Sequence, residues 1–402
     1  MQRAIIGFIA ATWVSCSASA PPPAVPSEQA AATSSATPDA ASAPTTAPAA
    51  PAPTPTLTAE AAEPGPSACP AGMILVEGEY CTEVEQKCLQ QWFDGSNKKV
   101  ICEVFEPKTT CVGQKVKKRY CIDQYEYPNV KGQRPEVMNR FHEAQIKCAS
   151  LGKRMCTESE WNMACEGPEM KPYPYGYVRD GRKCNGDHLW DDPNMTKVAK
   201  RDAKELGRLW RGVPSGSQAH CVSDYGVADM PGNTDEVVAS ESYMIPGFKG
   251  RYDSIHTGGP WYKGVRNQCR PKVYTHEESF YYYFLSFRCC AEADGKETNP
   301  LTPRQQKEGW TIEKVEKTAN VTREEVKRMR ALKAEKGHCG CAEIKSHRQR
   351  FRCDTICGTL LGDNAVDAKP APSDGPLPHF AQDKVSPEVL EKSLKAGERK
   401  RP

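Results

Sequence analysis

The sequence predicts an α+β domain, loop-rich and disulfide-rich, set behind a long low-complexity leader and followed by a small helical tail that carries further cysteines. Three observations predict it. Composition changes abruptly at Cys69, where aromatics, glycines and cysteines appear together after a run of Ala, Pro, Ser and Thr. Of 19 cysteines, all but Cys16 lie from that point onward. The periodic segments beyond it combine several short strands with two amphipathic helices, the pattern of an α+β fold.

The front of the chain sets the compartment. Met1-Gln2-Arg3, an apolar run over residues 4–14 and small residues around Cys16 have the order of a secretory signal. The run is too short for a permanent membrane span. Ala18-Ser19-Ala20 fits ordinary cleavage, but Pro21 follows directly and hinders the peptidase. Val14-Ser15-Cys16 resembles a bacterial lipobox, with Trp13 where Leu is usual, and predicts a lipidated Cys16 as the mature terminus. Residues 17–66 are too poor in apolar side chains to offset ordering entropy and read as a disordered tether. Without another long apolar segment, membrane attachment falls to Cys16. The expected location is the cell envelope of a bacterium, as an outer-membrane lipoprotein facing the periplasm or the surface.

Exported cysteines form disulfides rather than free thiols. Fourteen of them fall between Cys69 and Cys290 and four in the tail, and both counts are even, as full pairing requires. A net charge of +3 and the lack of a basic face interleaved with aromatics argue against nucleic acid.

Each element follows from its spacing. Residues 73–80 read as a strand ending near Gly78, and residues 120–127 as another closed by Pro128. Val137, Phe141, Ala144, Cys148 and Leu151 recur at helical spacing and predict a helix over 136–151, stopped by Gly152. Thr157-Glu158-Ser159-Glu160 is a capping box that starts a second helix, with Trp161 and Ala164 on its inner face. Loops are expected from Tyr173 to Gly226. Short strands return near 258–261 and 285–289.

The stretch 224–238, DYGVADMPGNTDEVV, places Asp229, Asp235 and Glu236 around a Pro231-Gly232-Asn233 turn. Such a loop either bonds its own backbone or holds a hard cation, since calcium takes six to eight oxygens from carboxylates and carbonyls.

Seven motifs in order carry a resemblance: Met73-Ile74; Gly152-Lys153-Arg154-Met155 with Thr157-Glu158 and Glu160-Trp161; Tyr173-Pro174-Tyr175-Gly176; Asn185; Gly226 with Asp229-Met230 and Gly232-Asn233 through Glu236; Gly258-Gly259 with Trp261; and Phe287-Arg288-Cys289. Over about residues 72–291 the chain resembles the formylglycine-generating, or sulfatase-modifying factor, domain. The resemblance implies that family's variant of the C-type-lectin-like fold for residues 67–293, leaving 294–402 as a charged helical tail. Leu285-Ser286 stands where a Gly is usual, Val237 replaces a second Trp, and the cysteine-dense stretch 81–121 has no family counterpart.

The resemblance further implies calcium, with side-chain oxygens from Asp229 and Glu236 and backbone carbonyls from Gly232 and Thr234. A second site would begin at Asn185, with Asp191 and Asp192 unassigned. It implies two disulfides, Cys148 with Cys289 and Cys165 with Cys269; Cys156 and Cys290 are extra neighbours of the same elements and are expected to pair as well. Active members oxidise a substrate cysteine through copper held by two cysteines between the Gly-Gly strand and the next structural cysteine. Thiolates are the ligands copper(I) selects. Here residues 258–268 contain no cysteine, and Cys269 matches the structural position, so copper is not expected and no catalytic residue is assigned.

Other chemistry has little support. His188, His220, His256 and His276 lack the His-Glu-x-x-His spacing of a zinc hydrolase. In the tail, residues 311–336 read as one or two exposed amphipathic helices. Cys339-Gly340-Cys341 and Cys353 to Cys357, with His338 and His347 nearby, loosely resemble a zinc site, but export favours two disulfides. The last thirty residues read as disordered apart from a short helix at 387–394. The sequence thus points to a non-catalytic, lipid-anchored module, binding or structural, whose partner is a protein or an envelope component, the alternative being an oxidoreductase of the same superfamily with altered chemistry.

Overall fold

The computed structural model describes residues 68–94, 99–188, 190–241, 252–262 and 266–357. The signal, Cys16, the tether and the helix expected at 387–394 lie outside the described residues. All of the described chain belongs to one compact unit.

Strand β1 (Met73–Cys81) is followed by a long hairpin, β2 (Val84–Asp94) and β3 (Lys99–Cys111), and by β4 (Lys115–Asp123). β1 and β4 pair antiparallel from Met73 opposite Asp123 to Cys81 opposite Lys115. The hairpin fills the cysteine-dense stretch that matched nothing in the family resemblance. Cys81–Cys111 closes its base and Cys88–Cys102 crosses its two strands. Its register shifts between Gln86 and Gln91 break the two-residue alternation by which a strand is read from sequence.

Helix α1 runs over Phe141–Ala149, shorter than the 136–151 expected. Residues before it are kept out of the helix, with the Glu136 amide donating to the Tyr127 carbonyl and Met138 in the left-handed region at φ 68°. Arg140 is the N-cap, its own amide donating to Glu143. After the short strand β5 (Arg154–Met155), helix α2 (Glu158–Glu166) begins at the expected capping box: the Thr157 hydroxyl accepts from the Glu160 amide while Glu160 reaches back to the Thr157 amide. The region expected as loops also contains α3 (Met195–Ala199) and α4 (Ala203–Leu209), each under two turns and so too short to repeat an apolar spacing, but capped by Asn194 and Asp202.

The chain then forms β6 (Asp235–Ala239), β7 (Ser254–Thr257), β8 (Lys272–Val273), β9 (Leu285–Ser286) and β10 (Cys289–Glu292). One sheet has the order β1-β4-β10-β5 and another β8-β7-β6-β9, in which β6 and β9 are parallel. The strand expected near 258–261 is displaced to β7, because Gly258 and Gly259 at φ 85° and 68° turn the chain out of the sheet. The end of the stretch 224–238 is not a loop: Asp235 onward is β6, buried at every position.

The tail is α5 (Pro303–Lys307), α6 (Ile312–Ala319), α7 (Arg323–Lys336) and α8 (His347–Cys357). It is not the exposed appendage that its charge suggests. Val315, Val321, Val326, Met329 and Ile356 form a cluster with Ile146 of α1, and Arg330 donates to the Tyr127 and Ser150 hydroxyls. Its cysteines form two disulfides, Cys339–Cys357 and Cys341–Cys353. Every described cysteine is paired, with Cys69–Cys121, Cys184–Cys221, Cys148–Cys289, Cys156–Cys290 and Cys165–Cys269 completing the set. That density of bridges belongs to an oxidising, extracytoplasmic environment. Among the described residues no helix is long and apolar enough to cross a membrane.

Candidate functional site

Two adjoining features make up the site. The first is a buried ionic cluster under the Pro231-Gly232 turn. Gly232 is required there, since a Cβ would lie 2.0 Å from the Cys184 carbonyl oxygen. β6 then carries Glu236 inward, where Arg288, arriving from between β9 and β10, donates to both of its oxygens at 2.6 and 2.8 Å. The Trp161 indole on α2 adds a third donor at 3.1 Å. Burial opposes the Arg288 charge, yet Glu236 holds the guanidinium above its ordinary range.

Two more carboxylates share this interior. Glu126 accepts from the Thr234 hydroxyl at 2.6 Å, the Asn233 amide group at 3.0 Å and the Ser215 hydroxyl at 3.1 Å. Asp229 accepts the Gly216 amide at 2.7 Å through one oxygen, while the other is buried without a partner. Burial, then the charges of Asp229 and Glu236, push the Glu126 carboxyl well up, and burial likewise raises Asp229. Asn185 belongs to the same region: its carbonyl accepts from the Asn233 amide and its side chain donates to Asn233.

The calcium ligand set implied by the resemblance does not fit this arrangement. Glu236 is committed to Arg288 and Trp161, so the implied set comes down to one open carboxylate oxygen on Asp229 and the carbonyls of Gly232 and Thr234, three oxygens against the six to eight calcium takes. Among the described residues no three His, Cys, Asp or Glu side chains converge as a metal site. Asn185 joins Asn233, and Asp191 pairs with Arg211 at 2.8 Å.

The second feature is the segment in which active members of the resembled family keep their copper cysteines. Asn267 staples it, donating to the carbonyls of Gly258, Gly259 and Pro260 at 3.0–3.2 Å. Asp235 accepts from the Gly259 amide and from Arg266. Trp261 is fully buried, edge-on to Trp210 with centroids 4.9 Å apart. His256 lies beneath, 3.8 Å from Asp235, its imidazole pushed far down by burial and the nearby His276. Cys269, the first cysteine after the Gly-Gly turn, is bonded to Cys165 of α2.

Residues 81–293, the cysteine-dense stretch 81–121 included, match the sequence profile of the sulfatase-modifying factor enzyme 1-like domain. The chain belongs to this family. Its fold is accordingly the family's α+β, C-type-lectin-like one. A bovine relative, named inactive C-alpha-formylglycine-generating enzyme 2, is 33% identical over 108 residues, which cover 27% of this chain and 33% of that protein. The match thus spans about a third of the relative's length. Among solved structures, PvdO of Pseudomonas aeruginosa aligns over 55% of this chain and 94% of its own at 14% identity and a TM-score of 0.35. Variable protein 1 of Treponema denticola aligns over 55% and 94% at 12% identity and a TM-score of 0.34.

Of the residues singled out in the sequence, the structure brings Asp229, Thr234, Glu236 and Asn185 into one region. It joins Cys148 to Cys289 and Cys165 to Cys269, the pairs that the family resemblance implies, and Cys156 to Cys290, the pair expected from their place beside the same elements. Cys16 lies outside the described residues. The sequence did not reveal Glu126 or the partnership of Arg288 with Glu236. The signal for Arg288 was present, since an arginine between Phe287 and two cysteines in a buried run needs an internal carboxylate.

Proposed function

We propose that this chain is a non-catalytic member of the sulfatase-modifying factor family, a folded head that binds a protein or an envelope component and is held to a membrane by lipid at Cys16. The observation that carries this reading is the Cys165–Cys269 disulfide. Copper(I) chemistry of the family's kind needs two thiolates at this turn. The segment before Cys269 offers none, and Cys269 has its sulfur in a bridge. Asn267 instead holds the turn by its backbone carbonyls, a structural role for the segment. The name of the bovine relative, an inactive enzyme, agrees with the reading. The Ala/Pro-rich tether gives the head reach from the membrane surface.

Two measurements test it. The purified chain, incubated with copper and a sulfatase-type cysteine peptide, should leave the thiol unoxidised relative to a protein-free control, and copper-dependent turnover would refute the non-catalytic reading. Mass spectrometry of the native N-terminus should find a diacylglyceryl-modified Cys16; an unmodified terminus at Pro21 would make this a freely secreted protein.

A further inference from the structure

A cavity of about 610 Å³ opens between the tail and the outer side of α1. The head contributes Arg140 at the start of α1, Arg201 just beyond α3, and Tyr281; α8 contributes Arg348, Phe351 and Arg352. Four guanidinium groups therefore line one space. The one carboxylate in its wall, Glu143, is already engaged: it accepts the Arg140 amide at 2.9 Å and lies 3.8 Å from the Arg140 guanidinium. Arg352 is held by Glu325 at 2.8 Å. Among the described residues no carboxylate pairs with Arg201 or Arg348.

Arg140 and Arg201 both lie over the Tyr281 ring, 5.2 and 4.9 Å from its centroid. Burial lowers the Arg201 pKa, and Glu143 only partly offsets that. Two cations beside one ring in a half-dry space leave positive charge that an anion would neutralise. Phe351, 60% exposed, stands at the same cavity as an unfilled apolar wall. The volume lies in the range of small-molecule sites.

We propose that this cavity binds a phosphate monoester, its dianion bridged by Arg201 and Arg348 and its apolar body set against Tyr281 and Phe351. Two guanidinium charges without carboxylate partners match a group that carries close to two negative charges at neutral pH, as a phosphate monoester does and a carboxylate does not. The planar guanidinium fork suits phosphate oxygens. The phosphate could belong to a soluble ester or to a lipid headgroup; the recognition chemistry is the same. The cavity uses neither the Cys165–Cys269 bridge nor the 258–268 segment, so it stands or falls apart from the non-catalytic reading.

Calorimetric titration of the full chain with phenyl phosphate tests the proposal. Saturable binding is expected, at least tenfold tighter than that of benzoate. Arg201→Gln and Arg348→Gln should each weaken it at least tenfold, while Arg182→Gln, on an arginine outside the cavity, should leave it unchanged. Arg348 is exposed on α8, so its variant keeps the test open if Arg201→Gln does not fold. Sedimentation with phosphatidic acid vesicles, against phosphatidylcholine vesicles, separates the sources: binding lost in Arg348→Gln assigns the phosphate to a lipid headgroup, and binding of phenyl phosphate alone assigns it to a soluble ester. Absence of binding in both arms, equal affinity for benzoate, or an Arg348→Gln protein that binds like the parent would overturn the proposal.

Discussion

Arg288 and Glu236 meet face to face in the interior, the guanidinium donating through two nitrogens to both carboxylate oxygens, with neither side chain reached by solvent. The pair ties the segment after β9 to β6, and the Trp161 indole locks α2 onto the same carboxylate. Removing one member of a buried pair strands the other charge, which costs about 3–5 kcal/mol. Arg288→Met should therefore lose about that much in urea unfolding, and more than Glu236→Gln, because it leaves Glu126, Asp229 and Glu236 together without their cation. Equal stability of Arg288→Met and the parent would show that the pair contributes nothing net.

Asp253 gives a pH signature. It is buried beside Arg304 and the Thr302 hydroxyl, and burial raises its carboxyl from the ordinary 3.8 to about 6. Between those values the folded chain holds a proton that the unfolded chain has released. Its contribution to stability is therefore complete below about 3.8 and is lost as pH rises through 6. Asp253→Asn should flatten the fall in stability over that window and gain about 1–2 kcal/mol at pH 7, after allowance for solvent screening. Parallel stability curves for the two proteins from pH 4 to 7 would contradict this.

The bridges differ in what they constrain. Cys148–Cys289 spans 141 residues of sequence, but the neighbouring Cys156–Cys290 bridge already closes nearly the same loop, whereas Cys184–Cys221 closes a span of 37 that no other bridge subdivides. Chain-entropy reasoning gives a loss of about 4 kcal/mol for removing Cys184–Cys221 and less for removing Cys148–Cys289 alone. Thermal melts of Cys184→Ala/Cys221→Ala and Cys148→Ala/Cys289→Ala should therefore rank in that order, and the reverse order would count against the entropic explanation.

How far the sequence carries depended on how local each determinant is. The capping box of α2 was legible because Thr157 and Glu160 satisfy each other's amides three residues apart. The seven ordered motifs gave the family's fold because each marks a tight turn or a buried contact. The β2-β3 hairpin was hidden by its bulges, and α3 and α4 by their shortness. The Arg288–Glu236 pair joins residues 52 positions apart, and no local pattern distinguishes such a pair from a metal ligand and a separate arginine. The tail's charge suggested solvated helices, whereas its few apolar residues, Val315, Val326 and Met329, find Ile146 only in three dimensions.

That last contact is itself testable. Met329 is buried against the tail's apolar cluster, and truncating such a side chain costs about 2–5 kcal/mol through lost transfer energy and the cavity left behind. Met329→Ala should show that loss and raise amide exchange on α1, around Ile146. A loss confined to exchange within α7 and α8 would mean that the tail melts without disturbing the head.

The state of Cys269 tests the non-catalytic reading most directly. Native chain alkylated without reduction, digested and mapped by mass spectrometry should yield Cys269 only in a peptide linked to Cys165, with no alkylated cysteine between Cys69 and Cys357. Recovery of alkylated Cys269 from the folded protein would place a free thiolate beside the Gly258-Gly259 turn, and would contradict the claim that the family's thiol chemistry is closed in this chain.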